Sequence, residues 1–116
     1  MSKVLVVDDD NDILEIIRII LTSKGYHVLT HGTGLGIPAI VERFEPNVIV
    51  LDINLPGRLG TEFCNDLKSI ADLPPVLLIS AHANRKKAYQ ACNADGFIGK
   101  PFEVKELLNA VQSLFQ

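Results

Sequence analysis

Three apolar runs in this chain each stop abruptly at a polar side chain, and that recurrence constrains the fold most. Val4-Leu5-Val6-Val7 runs into Asp8-Asp9-Asp10, and Val48-Ile49-Val50-Leu51 runs into Asp52. Val76-Leu77-Leu78-Ile79 runs into Ser80, and Gly99-Lys100-Pro101-Phe102 follows further on. Nearly continuous Val, Ile and Leu is the composition of parallel strands covered on both faces. In open α/β sheets, sites form just beyond the carboxyl ends of the strands. Asp8, Asp9, Asp52, Ser80 and Lys100 are therefore expected to converge on one rim.

Strand and helix patterns alternate five times. Strands are expected near Lys3–Val7, Tyr26–Thr30, Val48–Leu51, Val76–Ile79 and Gly96–Ile98. The first helix should run from near Asn11 to Lys24, with Asp10 or Asn11 as N-cap and Gly25 as the stop signal. The second takes Thr33-Gly34-Leu35-Gly36-Ile37-Pro38, a poor helix interior, as its first turn, where Pro is acceptable, and runs to about Phe44. Further helices are expected near Thr61–Ser69, Asn84–Ala91 and Val104–Leu114. Alternating βα units predict an α/β fold, a doubly wound parallel sheet with right-handed crossovers. Five units in this size class suggest the flavodoxin-like strand order 2-1-3-4-5. Periodicity alone leaves the order open.

The chain has 116 residues, 47% of them hydrophobic, enough for one domain with a real core. A net charge of -3 and a pI near 5.5 give no electrostatic case for nucleic acid or an anionic membrane. No apolar stretch approaches the roughly 20 residues of a membrane span. No secretory signal precedes the first strand. Cys64 and Cys92 lack CxxC spacing and read as reduced thiols of a cytoplasmic protein. The chain stops where a last helix would stop, so the expectation is one domain over 1–116 with no output domain inside it.

At about 4 Å, two carboxylates repel by roughly 4 kcal/mol at an effective dielectric near 20. A fold holding Asp8, Asp9 and Asp52 together needs a compensating charge. A hard divalent cation with oxygen ligands fits best, and Mg²⁺ is the natural choice. Lys100 adds a second positive charge, Ser80 a hydroxyl, and Asn54 an amide or backbone carbonyl. His27, His31 and His82 form no metal-ligand motif, and no Ser–His–Asp set has suitable spacing. A metal, an aspartate, a lysine and a hydroxyl suit phosphoryl transfer, with a carboxylate as covalent nucleophile.

Val7-Asp8-Asp9, Leu51-Asp52-Ile53-Asn54-Leu55-Pro56-Gly57, Ile79-Ser80-Ala81 and Lys100-Pro101-Phe102, in this order and spacing, make the chain resemble the receiver domain of bacterial two-component response regulators. The resemblance covers Val4 to Phe115 and favours the 2-1-3-4-5 order. It implies that Asp52 is the phosphoacceptor, charged by a sensor histidine kinase or a histidine phosphotransfer protein. It implies that Asp9 is a direct Mg²⁺ ligand, that Asp8 acts largely through water, and that the Asn54 backbone carbonyl completes the metal site. Ser80 matches the switch hydroxyl, Lys100 the phosphoryl-pairing lysine and Phe97 the switch aromatic. Lys100–Pro101 is a candidate cis peptide. Output is implied at the face of the fourth helix, fifth strand and fifth helix, toward an unknown downstream protein or a fused output domain.

The resemblance implies a signalling domain rather than a turnover enzyme, one expected to catalyse only its own phosphoryl transfer and autodephosphorylation. An aspartate-based phosphatase would place a second aspartate two residues after the nucleophile, where Asn54 stands. A degenerate scaffold would not need the full set. Asp10 reads as a helix cap, His82 as an exposed loop residue and Arg85-Lys86-Lys87 as a solvated face. Asn93 stands where the family usually has Gly, at a position expected to need positive φ. On the first helix, Ile13, Ile16, Ile17 and Ile20 are expected to face the core. Leu14 and Leu21 fall on one flank and Ile19 on the other. This wider apolar face belongs either to a broadly buried helix or, as the resemblance implies, to a surface that docks the phosphoryl donor, with Leu14 part of it.

Overall fold

The computed structural model describes residues 2–33, 35–52, 67, 69–80 and 94–115. Five strands form one parallel sheet: β1 (Lys3–Val7), β2 (His27–His31), β3 (Val48–Asp52), β4 (Val76–Ser80) and β5 (Gly96–Gly99). Their order is β2-β1-β3-β4-β5, as expected for the flavodoxin-like arrangement. Val7 pairs in register with Leu51, Asp52 with Ile79, and Ser80 with Gly99. These pairings bring the polar strand ends to one edge of the sheet.

Alternation along the strands feeds two core layers. Leu5, Val7, Ile49, Leu51, Val76 and Leu78 point to one face, where α2 (Ile37–Phe44) packs through Ile37 and Val41, beside the helical residue Leu67. Val4, Val6, Val48, Val50, Leu77 and Ile79 point to the other, covered by α1 (Asn11–Ser23) and α3 (Val104–Ser113). Strands with apolar residues on both sides cannot face water on either, which is why these runs show no polar alternation.

The ends of α1 follow from local chemistry. The Asp10 carboxylate accepts from the N–H groups of Asp12 (2.9 Å) and Ile13 (3.3 Å), as an N-cap does. At the other end Gly25, at φ +91°, donates to the Thr22 carbonyl (3.0 Å), and Tyr26 donates to that of Leu21 (3.2 Å). That pair of bonds is the Schellman arrangement, and its left-handed residue costs least as glycine. At the start of α3, the Glu103 N–H donates to the Glu106 carboxylate at 3.2 Å.

The buried stripe of α1 differs from the sequence expectation. Leu14, Ile17 and Leu21 are buried, Ile13 and Ile20 are half-buried, and Ile16 and Ile19 are 48% and 55% exposed. The helix bears on Val4 and Val6 below and on α3 beside it, so the buried line runs i, i+3, i+7 from Leu14. Leu14 is thus a core residue, and Ile16 belongs to the solvent side. Five apolar residues among the six at 16–21, interrupted only by Arg18, left that rotation undetermined by pattern alone.

The expected helices near 61–69 and 84–91 fall mostly or wholly outside the described residues, as do Asn54, Cys64, His82, Arg85–Lys87, Cys92 and Asn93. No helix of the described residues is long and apolar enough to cross a membrane.

Candidate functional site

Each side chain of the rim is placed by the element that precedes it. β1 ends at Val7, and the Asp8 N–H extends the ladder by donating to the His31 carbonyl at 3.2 Å. The chain then turns into the N-cap of α1. In that turn the Asp10 N–H donates to Asp8 Oδ1 at 3.0 Å, orienting the carboxylate. Asp52 and Ser80 are the last residues of β3 and β4. The Lys100 N–H donates to the Ser80 carbonyl at 2.9 Å, so the backbone just past β5 is fastened beside β4. The Lys100–Pro101 peptide is cis.

Asp8, Asp52 and Ser80 are only 1%, 2% and 1% exposed, while Asp9 faces solvent. Lys100 reaches in from the side. Its Nζ lies 2.9 Å from Asp8 Oδ2 and 3.0 Å from Asp52 Oδ2, donating to both. Burial alone would lower the Lys100 ammonium, but hydrogen bonds and attraction from Asp8 and Asp52 outweigh it and hold its pKa above the usual lysine value. One ammonium thus bridges two buried carboxylates, which would otherwise repel each other in a poorly solvated place.

A carboxylate oxygen from each of Asp8, Asp9 and Asp52 lies within 4.8 Å of the others. Three hard oxygen donors, one open to water, form a donor set suited to a small divalent cation that keeps part of its hydration shell. Both Asp8 oxygens already accept protein hydrogen bonds. Each retains a second lone pair for a bound water. Lys100 neutralises only part of the triad's charge, so a cation and this lysine are compatible at one rim.

The structure therefore brings together Asp8, Asp9, Asp52, Ser80 and Lys100, five of the seven side chains singled out from sequence. Phe97 pairs in register with Leu78 and is half-buried against the α2-side core, on the face of the sheet from which Ser80 also emerges. Asn54 lies outside the described residues. Asp10 caps α1 and supports the site only through its backbone N–H to Asp8. Asp95 carries weight that sequence reasoning did not assign. Its carboxylate accepts from the Val76 N–H at 2.9 Å and its own N–H donates to the Val76 carbonyl at 2.9 Å, tying the entry of β5 to β4. The Asp95-Gly96 pair at the entry of β5 was the available signal.

A doubly wound parallel sheet with an acidic triad, a hydroxyl and a lysine at its carboxyl rim defines a narrow class of protein. Residues 4–112 match the family model of the response regulator receiver domain, and the chain belongs to that family. It is 36% identical over 110 residues to the transcriptional regulatory protein KdpE of Mycobacterium tuberculosis, covering 93% of this chain and 48% of that one. It is 33% identical over 116 residues to the response regulator MprA of Mycobacterium leprae, covering 98% and 51%. The chain spans about half the length of these curated relatives. The solved structure of the chemotaxis response regulator CheY4 of Vibrio cholerae superposes with a TM-score of 0.86 at 30% identity, covering 98% of both chains. The signal receiver domain of a histidine kinase from Syntrophus aciditrophicus does so with a TM-score of 0.87 at 27% identity, covering 99% and 90%.

Proposed function

We propose that this chain is a phosphorylation-activated signalling domain in which Asp52 accepts a phosphoryl group from a phosphohistidine donor. The observation that carries the reading is the double contact of Lys100 with Asp8 and Asp52 beside the solvent-facing Asp9. An Asp52 oxygen attacks phosphorus, the P–N bond of the donor breaks, and its electron pair leaves with the imidazole. Mg²⁺, held by Asp8, Asp9, Asp52 and the Asn54 carbonyl, would supply charge neutralisation for the transferring oxygens. Lys100 exchanges one of its carboxylate contacts for a phosphoryl oxygen, and the Ser80 hydroxyl turns to another.

The switch follows from shared space. Ser80 and Phe97 lie on one face of the sheet, so movement of the hydroxyl toward phosphate opens room for the ring. New contacts to phosphate bias an equilibrium between two arrangements of the face around β5 and α3, joined by the fourth helix expected from sequence. That face meets the downstream partner. The domain turns over nothing but its own phosphoryl group and belongs in the cytoplasm. We take residues 1–116 as one receiver domain, either a regulator in itself or the receiver part of a longer chain. KdpE, named for transcriptional regulation and about twice as long as this chain, favours a fused output domain; CheY4, matched over 98% of its own chain, favours the stand-alone form. The exposed Ile16 and Ile19 on α1 are the surface offered to the donor's helical domain.

The test is intact mass after incubation with acetyl phosphate and Mg²⁺, beside Asp52→Asn and a chelator control. One phosphoryl group per chain, lost in both controls, is expected. Stoichiometric labelling of Asp52→Asn would overturn the assignment. Ile16→Asp should slow transfer from a cognate kinase while sparing acetyl phosphate labelling.

A further inference from the structure

The two flanks of α2 carry opposite charge. On one, a cavity of about 580 Å³ opens between α2 and the turn before β4; its charged lining is Glu42, Glu45 and Asp72. On the other, a groove of about 480 Å³ runs along β2; Arg43 and His31 line it with Leu29, Ile40 and Phe44. Among the described residues, neither lining holds a charge of the opposite sign. Lys3 adds to the basic flank, donating to the Phe44 carbonyl at 3.1 Å with its ammonium 5.6 Å from the Phe44 ring centre. Among the described residues, no ion pair neutralises Arg43, Glu42, Glu45 or Asp72.

The helical repeat produces this segregation. Ile37 and Val41 face the core, which turns Ala39 outward. At about 100° per residue, Glu42 and Arg43 then fall on either side of Ala39. The basic flank also borders an open sheet edge, because β2 is an outer strand. His27-Val28-Leu29-Thr30-His31 carries none of the Lys, Glu or Pro that commonly protect such an edge, and Leu29 is 39% exposed.

We propose that this face binds a second copy of the chain, the acidic flank of each α2 seated on the basic groove of the other. Complementary charge on two neighbouring patches of one surface is what an isologous contact requires. Symmetry narrows the geometry further. A two-fold axis running along α2 exchanges the flanks and pairs acid with base. A two-fold crossing α2 would set like charge on like. The dimer therefore packs its two α2 helices side by side in the same direction. Most of these charges are exposed, so the contact is weakened by salt. It needs no phosphoryl group, and it leaves the β5–α3 face open.

Sedimentation equilibrium of the unphosphorylated protein at low and high salt tests it. The expected result is a dimer that dissociates as salt rises. Arg43→Glu, and separately Glu42→Arg with Glu45→Arg, should each raise the dissociation constant roughly tenfold or more, because each sets like charges together on both sides of the axis. An equimolar mixture of the two variants restores both acid–base contacts and should return to within about threefold of the wild type. Circular dichroism melts check that each variant folds. A monomer up to about 1 mM, a scale that leaves little association energy, would overturn the proposal. So would a dimer indifferent to both reversals, or a mixture no tighter than either variant alone.

Discussion

β3 and β4 each run for five residues, all of them buried, yet in both strands the first four are apolar and the last is polar. Backbone geometry and solvent exclusion are the same along the strand; the energetics are reversed. Burying Leu51 or Leu78 contributes about 1.5–3 kcal/mol each by removing apolar surface from water. Burying Asp52 one residue on costs free energy, and the cost is offset only by what the fold brings to it. Lys100 supplies the charge, and among the described residues no buried side-chain nitrogen or oxygen lacks a hydrogen bond. The core shows what holds the sheet together. The rim shows what the sheet is built to hold in place.

Removing a side chain from each region should separate the two. Leu78→Ala leaves a hole in the α2-side core and should cost about 2–5 kcal/mol by urea unfolding. It should leave acetyl phosphate labelling intact wherever the protein remains folded. Lys100→Met leaves two buried carboxylates facing each other, and should cost about 1–3 kcal/mol, toward the lower end because the lysine is partly solvated. The rim origin of that loss is testable by a cycle: Asp52→Asn in the Lys100→Met background should recover part of it, whereas in the wild type it should not stabilise by as much. Additive effects would break the comparison, since they would mean that the rim carries no coupled charge.

Asp10→Ala removes the carboxylate that accepts from Asp12 and Ile13, and should cost about 1 kcal/mol. Asp10→Asn should cost less, and neither should abolish labelling, because the Asp10 contact to Asp8 is made by backbone. The smallest effect expected is one of pH. The Lys100 pKa is raised in the folded state above its ordinary value of 10.5, so its contribution is fully present below that value. It is lost as pH rises through the higher folded-state pKa. Stability of the wild type should therefore fall more steeply in this alkaline range than that of Lys100→Met.

Some of this was legible in the chain itself, and particular residues show why. Asp10 and Gly25 bounded α1 because capping is local: a carboxylate two and three residues before an N–H, or a glycine in a left-handed position, needs no distant partner. Leu14 and Ile16 were exchanged because both are apolar, and the face that wins depends on β1 and α3, which a helical window does not contain. Asp95 was passed over as a turn residue because its partner, Val76, lies 19 residues away in sequence.

The sequence by itself determined that apolar strands run into Asp8, Asp52 and Ser80 and that Lys100 follows the fifth, since strand length and apolar content are local properties. It also carried enough ordered motifs to identify the receiver family. Only the tertiary structure decided that one ammonium reaches two carboxylates, which face of α1 is buried, and that α2 divides acid from base. Those outcomes depend on sheet register and helix rotation. Both are set by packing between segments far apart in the chain, where the free energy of one contact is conditional on all the others.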